Sequence, residues 1–438
     1  HGGAELVLSG VSAGGRRTSA GGRSVRRGRG IARGSLGFGR PRPGPGFARP
    51  RPVDWPERHV EEMRRFAPPH CPWPKCSEHR RDTAGYRFLR CGGYFHRTGR
   101  RIARFRCLAC GRTFSRRSFS TSYYLKRPEL LAPIAAGLVA GSAHRQIARS
   151  LGCAPSTVTR QSARLGRHGI LLLALALDSL RGSLDEPLGG DHFETFEFSQ
   201  DLPFGVFTAV GRRSWFVYGV DPAPHRRTGR MTAAQALRLE SRPHRETRGG
   251  YRASFRRSLD LLLPLVGSPN RLRLACDGKN DYRQVLARRA DRLRFLLECH
   301  PNPKRGPQGS PRSPQARARD EAMFAVDQLH ALLRHSLANH KRETIAFGRR
   351  LNAIVERIFL AAVWRNFVKG RSERRPDRTT PAMRLGLTDR PWSWRRLLGR
   401  RLFPKRSHLP PAWLDLYRRD WITPVLPVNT RHRLRHAS

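Results

Sequence analysis

Residues 187–198, PLGGDHFETFEF, decide the fold. Their aromatic and apolar content, closed by turn-forming residues on either side, predicts a strand that carries Asp191 into a sheet. GVFTAV (205–210) and SWFVYGV (214–220) follow with Gly211, Arg212 and Arg213 between them, the pattern of a hairpin, so three antiparallel strands stand together. A helical region around 251–266 leads to RLRLAC (271–276), a further strand that ends at Asp277-Gly278. An acid directly after a buried strand, followed by Gly, presents a carboxylate at a sheet edge. RLRFLLEC (292–299) predicts a fifth strand, and two helices follow at 320–337 and roughly 340–369.

Three strands, a crossover helix, two further strands and a closing helix is the order of an RNase H-like domain, a mixed sheet flanked by helices. Upstream, ELLAPIAAGLVA (129–140) has helical spacing, and SAHRQIARSLGCAPSTVTRQSARLGRHG (142–169) reads as helix, turn, helix. Gly152 supplies the turn, and Pro155 is tolerated in the first turn of the second helix. That helix would expose Ser156, Thr157, Thr159, Arg160, Gln161 and Arg164, side chains that reach base edges and phosphates in a major groove. The bland alternative is a helical hairpin within a larger core.

Further upstream, Cys71-Pro-Trp-Pro-Lys-Cys76 and Cys107-Leu-Ala-Cys110-Gly form two close cysteine pairs. Such pairs sit on tight turns, and four thiolates fill a tetrahedral Zn²⁺ with no open position, the arrangement of a structural zinc ribbon. Gly111 after the second pair permits the positive-φ turn that such knuckles use. His79, Cys91 and His96 lie between the pairs and could replace a ligand or stand as bystanders, and Arg100, Arg101, Arg104, Arg106 and Arg112 give this module a basic side.

The chain is thus expected to be a multidomain α/β (α+β) protein. A disordered Arg/Gly/Pro-rich arm covers 1–53, the zinc ribbon 54–122 and the helix-turn-helix 123–170. The RNase H-like domain covers 171–372 with a loop at 300–319, and a basic C-terminal tail covers 373–438. The 438 residues hold 85 Lys or Arg against 33 Asp or Glu, a formal charge of +52. A self-repelling charge of this size calls for a polyanion, and arginine's planar fork suits phosphate, so nucleic acid leads and an anionic membrane surface follows well behind. The apolar run 170–177 is far short of the ~20 residues of a membrane-spanning helix. Sparse, paired cysteines point to a reducing, intracellular compartment.

Together, the zinc ribbon, helix-turn-helix and acid-bearing sheet resemble bacterial insertion-sequence transposases of the DDE type. The resemblance covers about 69–369 and is carried by RFRCLACGRTFSRRSFST, GGDHFETFEFSQ, SWFVYGV and ANHKRETIAFGRRLNAIVERIFLAAVWRNFV. It implies that Asp191 and Asp277 are the first two catalytic acids and that Glu343 or Asp327 is the third, together holding two Mg²⁺ ions for in-line phosphoryl transfer. It further implies that Asn339, His340, Arg342, Arg349 and Arg350 position phosphates. The implied partners are double-stranded element ends and target DNA, bound by a homo-oligomer in the bacterial cytoplasm at the nucleoid. A DNA-binding regulator without catalysis, or an inactive transposase relic, remains the alternative.

Overall fold

The computed structural model describes residues 66–81, 85–95, 101–241, 249–303, 306–307, 309–341, 344–373 and 377–421. The expected arm at 1–53, and with it His96, Arg100, Arg342 and Glu343, lie outside the described residues. Three short strands come first: β1 (Phe88–Phe95), β2 (Arg101–Cys107) and β3 (Thr113–Ser115) pair antiparallel in that order. Phe105, Phe114 and Phe119 bury an aromatic cluster with Cys71 and Cys107 beside them.

Next come α1 (Leu131–Val139), α2 (His144–Ser150) and α3 (Pro155–Ser179). Gly152 turns the chain between α2 and α3 with φ of +55°. Although the expected boundary falls between 170 and 171, α3 runs unbroken for 25 residues. No proline separates its polar first half from the apolar run after Gly169, and Gly166 and Gly169 are kept helical by their close packing on α8, so the two expected domains share one helix.

The main sheet begins with an antiparallel meander of β4 (Leu188–Phe196), β5 (Pro203–Gly211) and β6 (Val217–Pro224). After α4 (Ala233–Glu240) and α5 (Gly250–Leu262), β7 (Leu272–Cys276) enters parallel to β4. Then α6 (Asn280–Ala287) leads to β8 (Phe295–Cys299), parallel to β7, and the strand order becomes β6-β5-β4-β7-β8. This is a mixed sheet with helices on both faces. The alternation of β5 shows why: Phe207 packs on Phe255 of α5, while Thr208 points the other way.

Two long helices follow, α7 (Pro314–Ser336) and α8 (Leu351–Phe367). α7 starts inside the expected loop because Ser313 accepts a hydrogen bond from the Ala316 amide at 3.1 Å and Pro314 suits the first turn. α8 starts later than residue 340. The buried Glu197, just beyond β4, accepts the Leu351 amide at 2.7 Å, and the Phe198 amide bonds the Gly348 carbonyl at 2.7 Å, so 344–350 runs irregularly along the end of β4.

The expected basic tail is corrected over 377–421. α9 (Pro381–Arg384), α10 (Trp394–Leu397) and α11 (Pro411–Arg418) pack into the main core through Trp392, Trp413 and Leu397. Trp413 donates Nε1 to the Val220 carbonyl at 3.1 Å, and Arg419 grips the buried Glu356 of α8 with two bonds of 2.7 and 2.6 Å. Burial of large aromatic surface outweighs the local polarity that made the segment read as a tail. No helix among the described residues is long and apolar enough to cross a membrane.

α3 and α8 cross at glycines. A Cβ at Gly166 would fall 2.5 Å from the Glu356 carbonyl oxygen, and one at Gly169 would fall 3.0 Å from that of Phe359. An exposed helical Gly→Ala change normally stabilises by about 1 kcal/mol, but here overpacking of about 1–3 kcal/mol wins. Gly166→Ala is therefore expected to lower the urea midpoint of unfolding. An unchanged or higher midpoint would mean that the helices do not cross this closely.

Candidate functional site

Parallel pairing sets Leu188, Gly189 and Gly190 of β4 beside Leu274, Ala275 and Cys276 of β7. Extending that register by one residue brings Asp191 beside Asp277. Asp191 pairs across β5 with Thr208, whose hydroxyl lies 2.8 Å from His330 Nε2 on α7. α7 lies close over this part of β4: a Cβ at Gly189 would meet Val326 Cγ1 at 3.6 Å. Asp327 follows Val326 and precedes His330 by about one turn, so it lies on the side of α7 nearest Asp191.

The charges agree with this grouping. Burial first, and the neighbouring Asp277 carboxylate second, push the Asp191 carboxyl up to about 7, and Asp327 adds to the effect. Lys279 and the His192 amide, which donates to Asp191 Oδ1 at 2.7 Å, oppose it. The three carboxylates interact but do not converge on one point. Among the described residues, the four cysteines are the group whose ligand atoms all lie within 4.8 Å of one another. Glu343, the other candidate for a third acid, lies outside the described residues.

Several neighbours escaped the sequence reading. Arg319 of α7 pairs through both Nη atoms with Asp327, the longer bond being 3.3 Å. Burial lowers its pKa, but the bonds to Asp327, with a contribution from Asp191, raise it above the ordinary arginine value overall. On the opposite face of β4, Glu194 accepts from Tyr251 Oη at 2.7 Å and lies 3.1 Å from His225 Nε2 and 3.9 Å from Lys279 Nζ. His192 reaches Tyr282 Oη at 2.7 Å. The spacing of Arg319, Asp327 and His330 on one helix is a signal that could have revealed the first group. The second depends on strand pairing that sequence spacing does not show.

The cysteines meet as expected. Cys71 Sγ lies 3.7 Å from Cys110 Sγ, and Cys76 Sγ lies 3.8 Å from Cys107 Sγ. Zn–S bonds of about 2.3 Å in a tetrahedron put sulfurs roughly 3.8 Å apart, so the group could hold a structural metal such as zinc. Backbone turns create it: the Cys76 amide bonds the Trp73 carbonyl at 3.0 Å, and the Gly111 amide bonds the Cys107 carbonyl at 2.9 Å with φ of +68°. Arg112 stacks over Trp73, its guanidinium 4.3 Å from the ring centre, and so ties one knuckle to the other. His79 points Nδ1 at the Cys71 carbonyl at 2.7 Å, and Cys91 bonds the Leu89 carbonyl, so neither joins the sulfur group.

Of the side chains expected to face DNA on α3, Ser156, Thr159 and Arg160 are exposed, and Thr157 is half-buried. Gln161 and Arg164 are corrected. Both are half-buried, and Arg164 donates Nη1 to the carbonyls of Thr121 and Tyr123 at 2.7 and 2.9 Å. α3 turns that side towards the preceding loop, so Arg164 holds the loop instead of solvent. Asn339 and His340 are likewise buried, the latter 3.2 Å from Thr195 Oγ1, which removes them from the set of exposed phosphate contacts. Arg349 remains exposed and Arg350 half-buried.

No protein-family model matches the chain, and no curated protein or solved structure matches it.

Asp191 carries a pH signature. Its carboxyl, pushed up to about 7, lies above the ordinary carboxylate range, so its contribution to stability is full below the unfolded pKa and is lost as pH rises through 7. In metal-free buffer at pH 8, Asp191→Asn should unfold at higher temperature than wild type, by roughly 1 °C per kcal/mol relieved, and the gap should close at pH 4. A lower melting temperature for the variant at pH 8 would contradict the grouping. Separately, Cys107→Ser should abolish stoichiometric zinc uptake measured by atomic emission, whereas Cys91→Ser should leave it intact.

Proposed function

We propose that the chain is a DNA phosphoryl-transfer enzyme of the DDE transposase kind, which binds the ends of a mobile element and cuts and joins strands at a divalent-metal site. The observation that carries this reading is the β4–β7 register, which sets Asp191 beside Asp277 with Asp327 facing them from α7. In this reading the mixed sheet is an RNase H-like domain, and its order of three antiparallel strands followed by two parallel ones supports that. The cysteine module is a zinc ribbon, and α2 with α3 is a helix-turn-helix whose Ser156, Thr157, Thr159 and Arg160 meet the major groove.

Asp191, Asp277 and either Asp327 or Glu343 would hold Mg²⁺. When bound, the ion supplies Lewis acidity to the scissile phosphate and lowers the pKa of the attacking water. The chain's own groups do the rest. The His192 amide fixes the orientation of Asp191, and the Thr208–His330 contact braces β5, the strand beside Asp191, against α7. Lys279 brings positive charge to the same end of the strands, where a phosphate would need it. Arg342 and Arg349 are assigned to the DNA backbone. The DNA partner is double-stranded, the working form is a homo-oligomer joining two ends, and the setting is a bacterial nucleoid.

One observation favours a second reading, a DNA-binding relic without cleavage. Arg319 already neutralises Asp327 and contributes to the field at Asp191, occupying the electrostatic role of a metal ion. The test is Mg²⁺-dependent nicking of a DNA fragment bearing the element's terminal repeats. Wild type should nick it. Asp191→Asn and Asp277→Asn should lose roughly a thousandfold in rate while duplex affinity is kept. Of Asp327→Asn and Glu343→Gln, the one with an equal loss identifies the third acid. Wild-type protein that binds the ends yet never cuts them with Mg²⁺ or Mn²⁺ would sink the enzyme reading and leave the relic.

A further inference from the structure

Beside the cysteine module, an open cavity of about 350 Å³ is lined by Tyr94, Tyr123, Tyr124, Arg104, Arg117 and Ser115, with no acidic residue on its wall among the described residues. Neither the metal chemistry nor α3 uses it. Tyr123 and Tyr124 meet edge to face, ring centres 4.8 Å apart, and Tyr94 lines the same wall. Tyr124 is 64% exposed. It also holds φ at +63°, a left-handed backbone that a bulky residue adopts at a cost. A large apolar ring kept exposed at such a cost is not there for the core.

We propose that this cavity binds an unpaired nucleotide of single-stranded DNA, its base stacked on the exposed Tyr94 and Tyr124, with Tyr123 held from behind by Arg401, and its phosphates met by Arg104 and Arg117. Aromatic faces beside guanidinium groups form the standard single-strand platform, because every base has a π-face and every linkage an anion. A paired base keeps its faces inside the duplex and cannot use such a wall. The surface is not an apolar docking patch for a protein helix, since two arginines and the Ser115 hydroxyl share it with the rings. Arg104 reaches Thr113 Oγ1 at 3.5 Å and Arg117 reaches the Leu125 carbonyl at 3.2 Å, which holds both heads at the rim. The inference rests on the proposed DNA function and adds that strands are held open on the cysteine module, away from the carboxylates.

The test is fluorescence anisotropy of the full chain with labelled dT12 and with a duplex of equal length. Tyr124→Gly suits the left-handed backbone and removes the ring without strain; Tyr94→Ala and Tyr124→Phe accompany it. Both ring deletions should weaken dT12 binding by roughly tenfold, Tyr124→Phe should not, and duplex affinity should hold in all. Wild type binding duplex but not dT12, deletions without effect, or equal losses on both probes would each overturn the inference and leave the DNA reading standing. Binding to neither probe would overturn both.

Discussion

The parallel pairing of β4 with β7 is the constraint on which the rest depends. Leu188 and Leu274 both lie buried at its start, and Gly189 and Gly190 keep the strand thin enough for Val326 on one face and Phe207 with Leu274 on the other. Slip the register by one residue and every side chain of β4 changes face: Asp191 would leave α7 and enter the aromatic layer that now holds His192. Hydrophobic burial at one end of the pair therefore fixes two carboxylates together at the other. Burial of Asp191 first, and repulsion from Asp277 second, are the cost, seen in the raised pKa of Asp191. Lys279 offsets part of that cost in the protein alone, and a divalent cation would do the same more strongly.

The arginine surplus also divides once the contacts are known. Many guanidinium groups serve the chain itself. Arg401 reaches the Ser118 carbonyl, Arg406 reaches that of His79, and Lys405 reaches that of Pro74, so the segment after α10 clasps the cysteine module to the core beside the buried Phe403. Arg164 is likewise committed to loop carbonyls. In a chain with few acids, backbone oxygens take the place of carboxylates as partners for buried guanidinium groups. The side chains left for a polyanion are fewer than the charge implies, and they include Arg160 on α3, Arg104 on β2 and Arg349 near the end of β4.

Local chemistry made much of this legible. Strands appeared where aromatic and β-branched residues ran between turn residues, and the cysteine knuckles followed from spacing and from Gly111. What stayed hidden depends on contacts distant in sequence. The start of α8 is set by Glu197, some 150 positions earlier in the chain, and no pattern near residue 340 reveals it. The continuity of α3 was masked by a change from polar to apolar composition, which marks a change of neighbours and not of element. Trp392 and Trp413 lay among arginines and read as a tail, although the core needs their area. Asp327 was legible in part, because Arg319 and His330 accompany it along one helix.

Metal binding at the carboxylates tests the central claim most directly, since it needs neither a DNA sequence nor turnover. Mn²⁺ titrated into the full chain and followed by electron paramagnetic resonance reports free ion as bound ion is lost from the signal. The account predicts saturable binding in wild type that disappears in both Asp191→Asn and Asp277→Asn and persists in Asp281→Asn, whose carboxylate on α6 pairs instead with Arg252. Equal binding by all four proteins would contradict it.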